Sequence, residues 1–168
     1  ACHNQSDYFM VDLWKDTNYV GGELPDARAG AEKPASVALH QDWRTVHNAL
    51  VQCFFASVPP ETTLGLVNAA TAFDYSLDSL RAVGERAWNL KRALNHRLGL
   101  TRANDKLPKA FLTPYADGGS AGRVPDFPAM LAAYYAARGW DEATGRPTRA
   151  TLQRLNLPRA ADDLWGAV

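Results

Sequence analysis

The chain has very little cysteine. Only Cys2 and Cys53 occur in 168 residues, so a scaffold held by several disulfides is excluded and a reducing, cytoplasmic location is favoured, with a single Cys2 to Cys53 bridge left open. A structural zinc site needs about four nitrogen or sulfur ligands, and an iron-sulfur cluster needs about four thiolates. The chain by itself can therefore supply at most part of such a site.

An excess of charge and a long apolar run are also missing. The 18 lysines and arginines balance the 18 aspartates and glutamates, so the formal net charge is zero. Nucleic acids and anionic membranes attract proteins through positive charge, and neither is expected as a partner. The longest apolar runs, such as residues 49 to 58, are far shorter than the roughly 20 residues of a membrane-spanning helix.

Aromatic residues are plentiful. Five tryptophans, six tyrosines and six phenylalanines argue against disorder and for extensive packing, part of it as interface. The chain begins with Ala1-Cys2-His3 rather than with methionine, so we expect the natural N-terminus to lie upstream. These features are typical of one part of a larger assembly.

Apolar residues at helical spacing predict a mainly α protein without internal repeats or useful strands. The predicted helices run from Leu39 to just before Pro59, from Pro60 to about Phe73, from Ser76 to Gly99, from Ala129 to Arg138 and from Thr148 to Leu155. The first of these carries Cys53 near its C-terminal end, on a largely apolar face. Ser76 and Thr148 are expected to cap their helices, and Gly139 is expected to end one.

Irregular segments separate the helices. Residues 1–38 are expected to contain a loop or a short helix around Tyr8 to Trp14, and the stretch from Leu100 to Phe127 is interrupted by proline and glycine. We therefore divide the chain into a loop-rich segment, residues 1–38, and a helical domain, residues 39–168. The expected fold class is an irregular, mainly α domain with long connecting arms that wrap around something else.

The longest predicted helix is expected to be the spine of the domain. Its apolar stripe consists of Leu80, Val83, Ala87, Leu90, Leu94 and Leu98. Its basic residues Arg86, Lys91, Arg92 and Arg97 are interpreted as solvated or as ion-pair partners of other domains. His96 would favour the helix dipole as a cation, whereas His40 and His47 are too far apart for one metal ion and are expected in solvent or at an interface.

Four blocks in this order resemble the C-terminal part of the aldehyde ferredoxin oxidoreductase family. They are Ala1-Cys2-His3, the segment around Cys53, residues 83–92 (VGERAWNLKR) with Asn95 and residues 99–102, and the tail 134–141 with 145–148. The family consists of tungsten, sometimes molybdenum, enzymes with a bis-pyranopterin cofactor and an adjacent 4Fe-4S cluster. The resemblance covers nearly the whole chain and implies the C-terminal portion of a larger multidomain enzyme.

The resemblance also implies roles for individual residues. The family's Asp-x-x-Gly-Leu-Cys element aligns with residues 48–53, so Cys53 corresponds to the fourth cluster ligand, and Asn48 and Gln52 correspond to positions beside the pterin. Asn48 stands where the family has aspartate, and the charge that would strengthen a hydrogen bond to the pterin is missing. His3 occupies the position of the family's active-site histidine, which is implied to hydrogen-bond or protonate the substrate oxygen.

The implied reaction is the oxidation of an aldehyde to a carboxylic acid, with electrons passing through the 4Fe-4S cluster to ferredoxin. The implied partners are the missing N-terminal domains or an upstream subunit, ferredoxin and a small aldehyde. The other cluster cysteines, the second pterin motif and the active-site glutamate of the family lie upstream. The 4Fe-4S cluster and the tungsten or molybdenum bis-pyranopterin are therefore expected only together with that portion, and the isolated chain is expected to be inactive.

Two alternatives to the aldehyde oxidoreductase hypothesis stay open. The first is a noncatalytic helical interaction module or a degenerate remnant of the family, which the departures at Asn48, Val51 and Gln52 favour. The second is a cysteine-dependent enzyme that uses Cys53 with a histidine. A polypeptide encoded nearby that carries the missing cysteines would favour the oxidoreductase.

Overall fold

The computed structural model describes Tyr8, Val11, Asp12 and residues 24–53, 56 and 58–166. Within these residues the helices are α1 (Pro34–Ala49), α2 (Pro60–Thr71), α3 (Leu77–Arg97), α4 (Phe127–Arg138), α5 (Arg149–Arg154) and α6 (Pro158–Trp165), with 3-10 turns at Arg102–Asn104 and Lys109–Leu112. The described residues contain two isolated bridges and no strand. The predicted mainly α class is confirmed.

The ends of three helices confirm the predicted caps. Ser76 Oγ accepts a hydrogen bond of 3.2 Å from the Ser79 backbone at the start of α3. Thr148 Oγ1 accepts one of 3.2 Å from the Thr151 backbone at the start of α5. Gly139 ends α4 with a φ of 63°, in the left-handed region that glycine adopts without steric cost. Most of the segment from Tyr8 to Trp14, for which a short helix was considered, lies outside the described residues. Within this segment the described Val11 and Asp12 are helical.

The first helix differs from its prediction at both ends. It begins at Pro34, because proline suits the first turn of a helix, and it ends at Ala49 rather than just before Pro59. Val51 has a φ of 56°, a left-handed conformation that stops a helix and that costs free energy for a β-branched residue. The prediction that Cys53 lies on this helix is therefore wrong, since Cys53 follows its end by four residues.

Helices α1, α3 and α4 form the centre of the domain. Trp43 and Val46 of α1 pack with Val67 of α2 and Leu80 of α3 in one buried apolar cluster. Gly84 lets α1 and α3 approach closely, since a Cβ atom built there would lie 1.9 Å from the carbonyl oxygen of Asp42. None of the described helices has the length and apolar character needed to cross a membrane.

Only the first half of the predicted apolar stripe of α3 enters the core. Leu80 is buried, but Leu90, Leu94 and Leu98 are 48%, 56% and 71% exposed. The buried side of the second half consists instead of Asn89 and Ala93. The three exposed leucines, here named the leucine ridge, face away from the described core, so the predicted apolar stripe is not one continuous buried side of α3.

Polar residues of the VGERAWNLKR block tie α3 to the C-terminal elements. Asn89 Oδ1 accepts a hydrogen bond of 2.7 Å from Trp140 Nε1, and Arg86 Nε donates one of 2.8 Å to the Leu155 carbonyl. Arg86 is therefore tied to the chain's own C-terminal elements through Nε, which the interpretation as solvated or paired with another domain did not include. Arg97 fits that interpretation in part, because it is exposed and pairs with Asp163 of α6 at 3.0 Å.

Candidate functional site

The candidate loop, residues 48–53, begins in the last turn of α1. The Val51 N–H donates to the Asn48 carbonyl at 3.2 Å, and the Gln52 N–H donates to the His47 carbonyl at 3.0 Å. These bonds fold the chain back immediately after the helix. Asn48, Gln52 and Cys53 thereby lie in one tight turn at the C-terminal end of α1.

Cys53 lies on the surface of this loop as a free, exposed thiol. Its carbonyl accepts a hydrogen bond of 3.0 Å from the Ala56 N–H. The side-chain amide of Gln52 donates to the Ala56 carbonyl at 3.1 Å, so this side chain fixes the loop on either side of Cys53. The sulfur is accessible to a group that approaches from outside the chain.

The loop residues fit an edge of a cofactor site rather than a complete one. The described residues contain no group of three or more histidine, cysteine, aspartate or glutamate side chains that could hold a metal ion. One exposed thiolate suits an iron-sulfur cluster whose other ligands come from elsewhere. The half-buried amide of Asn48 can donate to and accept from a pterin ring. His3 lies outside the described residues.

A buried basic cluster lies directly before the loop, and the sequence analysis missed it. It consists of His40, Arg44 and His47 on α1, all of them 1% exposed or less. Arg44 Nη1 and His47 Nδ1 are 3.3 Å apart. Burial, and then the charges of Arg44 and His40, lower the pKa of His47 to about 4, so His47 is neutral at pH 7.

His40 and His47 were expected in solvent or at an interface, and their burial within the described chain shows that the solvent alternative is wrong. Their spacing, with Arg44 between them, places all three side chains on one side of α1. Trp43 on the same helix is also completely buried. The sequence contained a signal for this burial, because His40 and His47 lie three residues before and four residues after the apolar Trp43 and therefore on its side of the helix. The sequence prediction counted only apolar residues and so assigned the basic side chains to the surface.

A buried ion pair joins α1 to α4. Arg138 Nη1 and Asp42 Oδ1 are 2.5 Å apart, and neither side chain is more than 10% exposed. The other guanidinium nitrogens of Arg138 donate to the Ala38 carbonyl, Gln41 Oε1 and Tyr134 Oη at 2.8 to 3.1 Å. Burial raises the pKa of Asp42 to about 6, with Arg138 acting in the opposite direction.

A second network fixes the arm that follows α3. Arg92 donates to the Gly145 carbonyl at 2.8 Å and to Asp105 Oδ1 at 2.9 Å, and Tyr135 Oη also donates to Asp105. Burial opposes ionisation of Asp105, but the hydrogen bonds from Arg92 and Tyr135 lower its pKa below the ordinary value. Arg92 is thus an internal tie, and its interpretation as solvated or paired with another domain is wrong.

Comparison with protein families identifies the chain along most of its length. A family model described as aldehyde ferredoxin oxidoreductase, domains 2 and 3, matches residues 1–157. Two proteins named tungsten-containing aldehyde ferredoxin oxidoreductase, from Pyrococcus horikoshii and Thermococcus kodakarensis, are 37% identical over 130 residues and 36% identical over 136 residues. Each alignment covers 75% of this chain and 21% of the relative, so the chain spans about a fifth of the length of these relatives.

A solved structure shares the fold over almost the whole chain. It belongs to the active site complex BamBC of benzoyl coenzyme A reductase in complex with 1,5-dienoyl-CoA. The TM-score is 0.62 at 18% identity, and the match covers 98% of this chain and 32% of that chain. The solved structure shows a shared fold, and the family model that matches residues 1–157 shows the family. The chain belongs to the aldehyde ferredoxin oxidoreductase family and corresponds to the C-terminal part of its members.

Proposed function

We propose that this chain is the C-terminal part of an oxidoreductase that converts an aldehyde and water to a carboxylic acid. The reaction would release two protons and two electrons, and a 4Fe-4S cluster held in part by Cys53 would supply the route of the electrons to ferredoxin. A tungsten or molybdenum bis-pyranopterin supplies the oxidation chemistry when bound. The observation that carries the proposal is the exposed thiol of Cys53 on a tied loop, at the position of the family's cluster ligand.

Each loop residue has a defined part in this proposal. Cys53 Sγ binds one iron of the cluster, and the hydrogen bond from Gln52 to Ala56 holds the loop around it. The Asn48 amide hydrogen-bonds to the pterin without the charge that aspartate would bring. His3, which matches the family's active-site histidine in sequence, would donate a hydrogen bond or a proton to the substrate oxygen. The free thiol also fits a reducing, cytoplasmic compartment.

The remaining ligands must come from the missing N-terminal domains or from an upstream subunit. The chain spans 21% of its relatives, and the described residues hold no metal-binding group of three or more side chains. The leucine ridge is an exposed apolar row on the longest helix, and such rows mark surfaces that other domains cover. We infer that the remainder of the enzyme packs against this ridge.

Replacing Leu94 with glutamine tests this surface. Leu94 is 56% exposed, so the stability of the chain should change by less than about 0.5 kcal/mol. Copurification with the polypeptide encoded upstream should fall, because a polar amide would enter the apolar interface. Leu112→Gln in the second 3-10 turn, where the side chain is 45% exposed, is the matched control. Equal copurification of the Leu94 variant and the wild type would contradict the proposed surface.

Replacing Cys53 with serine tests the cluster. The chain is produced anaerobically with the polypeptide encoded upstream, and the copurified iron, sulfide, tungsten and molybdenum are measured. The wild-type complex should hold about four irons, and the Cys53→Ser complex should keep tungsten or molybdenum but show a labile or three-iron cluster by electron paramagnetic resonance. Cys2→Ser, the other cysteine substitution that the chain offers, should leave the iron content unchanged.

The same experiment separates the two functional hypotheses. A wild-type complex without iron, tungsten or molybdenum would exclude the oxidoreductase and leave a helical interaction module or remnant. A wild-type complex with four irons that Cys53→Ser does not alter would preserve the enzyme but remove the role of Cys53. The replacement of the family's aspartate by Asn48 is the observation that favours the noncatalytic alternative.

A further inference from the structure

A cavity of about 680 Å³ lies between the end of α3, the arm that follows it and the start of α4. Its basic lining residues are His96, Arg102 and Arg146, and its apolar lining includes Phe127 and Leu131. The volume is in the usual range of about 300 to 1,000 Å³ for sites that bind small molecules. Neither the candidate loop nor the proposed function uses this cavity.

The positive charges of this cavity are not balanced. In the part of the chain that the structure describes, neither Arg102 nor Arg146 forms an ion pair. Asp105 is the one carboxylate in the described lining, and Arg92 and Tyr135 already occupy it. Since Arg92 neutralises Asp105, no carboxylate of the described lining is left for Arg102 or Arg146. Asp141, a solvent-accessible carboxylate outside the lining, interacts with Arg146 only through charge that the solvent screens. The cavity therefore keeps an excess of positive charge.

Three nitrogen atoms of these residues lack hydrogen-bond partners. They are His96 Nε2, Arg102 Nη1 and Arg146 Nε, which are shielded from solvent and donate to no group among the described residues. Shielded donors without acceptors cost free energy, and charged ones cost more. An anion in the cavity would compensate the charge of both guanidinium groups by accepting hydrogen bonds from their other nitrogens.

Aromatic rings hold the two arginines in place. Arg102 Cζ lies 5.1 Å from the ring centre of Tyr135, and Arg146 Cζ lies 5.6 Å from that of Trp165. Arg146 Nη1 also donates to the Leu164 carbonyl at 3.1 Å. These contacts fix the guanidinium groups before a ligand arrives, which reduces the entropy lost on binding.

The pKa of His96 agrees with a positive potential in the cavity. Burial lowers this pKa; the backbone of Gly145 acts against that change, and Arg92 and Arg146 lower the pKa further. Asp105, the other titratable group facing His96, raises it by the smallest amount. His96 is therefore a neutral hydrogen-bonding group at pH 7, and the expectation that it acts as a cation at the helix end is not supported.

We propose that this cavity binds a small organic anion, with a carboxylate or phosphate group against Arg102 and Arg146 and an apolar body against Phe127 and Leu131. Guanidinium groups suit both oxyanions, because their planar donors match two oxygens at once. The site is distinct from the loop at Cys53 and does not depend on the cluster. Its occupant is a free small molecule.

The test uses three probes that share one aromatic body. Benzoate carries a carboxylate, phenyl phosphate carries a phosphate, and benzamide carries no charge. The 168-residue chain is titrated with each probe, and the Nε–Hε signals of the arginines are followed by nuclear magnetic resonance. Benzoate or phenyl phosphate should shift the signals of Arg102 and Arg146, and the stronger of the two identifies the oxyanion. Benzamide should bind at least about tenfold more weakly.

Variants assign the binding to the cavity. Arg102→Gln and Arg146→Gln should each weaken the preferred anion about tenfold, whereas Arg97→Gln, at an exposed ion pair of the same helix end, should leave its affinity unchanged. Unfolding of a variant would be visible in its spectrum. If a variant unfolds, the salt dependence of binding to the wild type replaces it as the test, because added salt should weaken the binding of benzoate but not that of benzamide. Equal binding of the three probes, or no shift of either arginine, would overturn the proposal.

Discussion

Replacing Gly84 with alanine is expected to destabilise the chain by about 3 kcal/mol or more. The added Cβ atom would lie 1.9 Å from the carbonyl oxygen of Asp42 and 2.7 Å from its carbonyl carbon. These are backbone atoms of α1, so no side-chain rotation can relieve the overlap. The two central helices must move apart, and the packing of Trp43 and Leu80 between them would loosen. Urea unfolding followed by circular dichroism measures the loss.

Gly65 provides the matched control for this substitution. It lies in the exposed part of α2, and no heavy atom lies within 4 Å of a Cβ atom built there. Gly65→Ala should therefore stabilise the chain by about 0.5 to 1 kcal/mol, because alanine has the higher helix propensity. If both variants unfolded at the same urea concentration, the close approach of α1 and α3 at Gly84 would be refuted.

Replacing Arg138 with methionine is expected to cost about 3 to 5 kcal/mol at neutral pH. The guanidinium group holds four acceptors of α1 and α4, and methionine can satisfy none of them. The buried carboxylate of Asp42 would be left without its counter-charge. Arg97→Met is the control, since its ion pair with Asp163 is exposed and should contribute less than about 1 kcal/mol.

The loss caused by Arg138→Met should depend on pH. In the wild type the folded-state pKa of Asp42 is about 6, above its ordinary value of 3.8. Asp42 therefore contributes stability below about pH 4 that is lost as the pH rises through 6. Without Arg138, which lowers this pKa, the folded-state value rises further and the loss above pH 6 grows. Urea unfolding at low and neutral pH should show a smaller deficit in acid, and an equal deficit at both would contradict this account.

Local sequence determined where several helices begin and end. Ser76, Thr148 and Gly139 act within one helical turn, so their effects follow from the residue types alone. The order of the motif blocks along the chain was sufficient to recognise the family resemblance, because comparing motifs needs no knowledge of which residues are in contact. The division at residue 38 and the roles of His3, Asn48, Gln52 and Cys53 stay predictions.

Only the tertiary structure decided which sides of the helices are buried. Periodicity placed Leu94 on an apolar stripe, and His47 was expected in solvent or at an interface. In the structure Leu94 is exposed and His47 is buried, because the neighbours of α1 and α3 come from distant parts of the chain. The left-handed turn at Val51 ended α1 before Cys53, although the apolar pattern continued. The sequence by itself determined the helices, their caps and the family; burial, the ion pairs and the cavity depend on contacts between residues far apart in the chain, which local propensity does not encode.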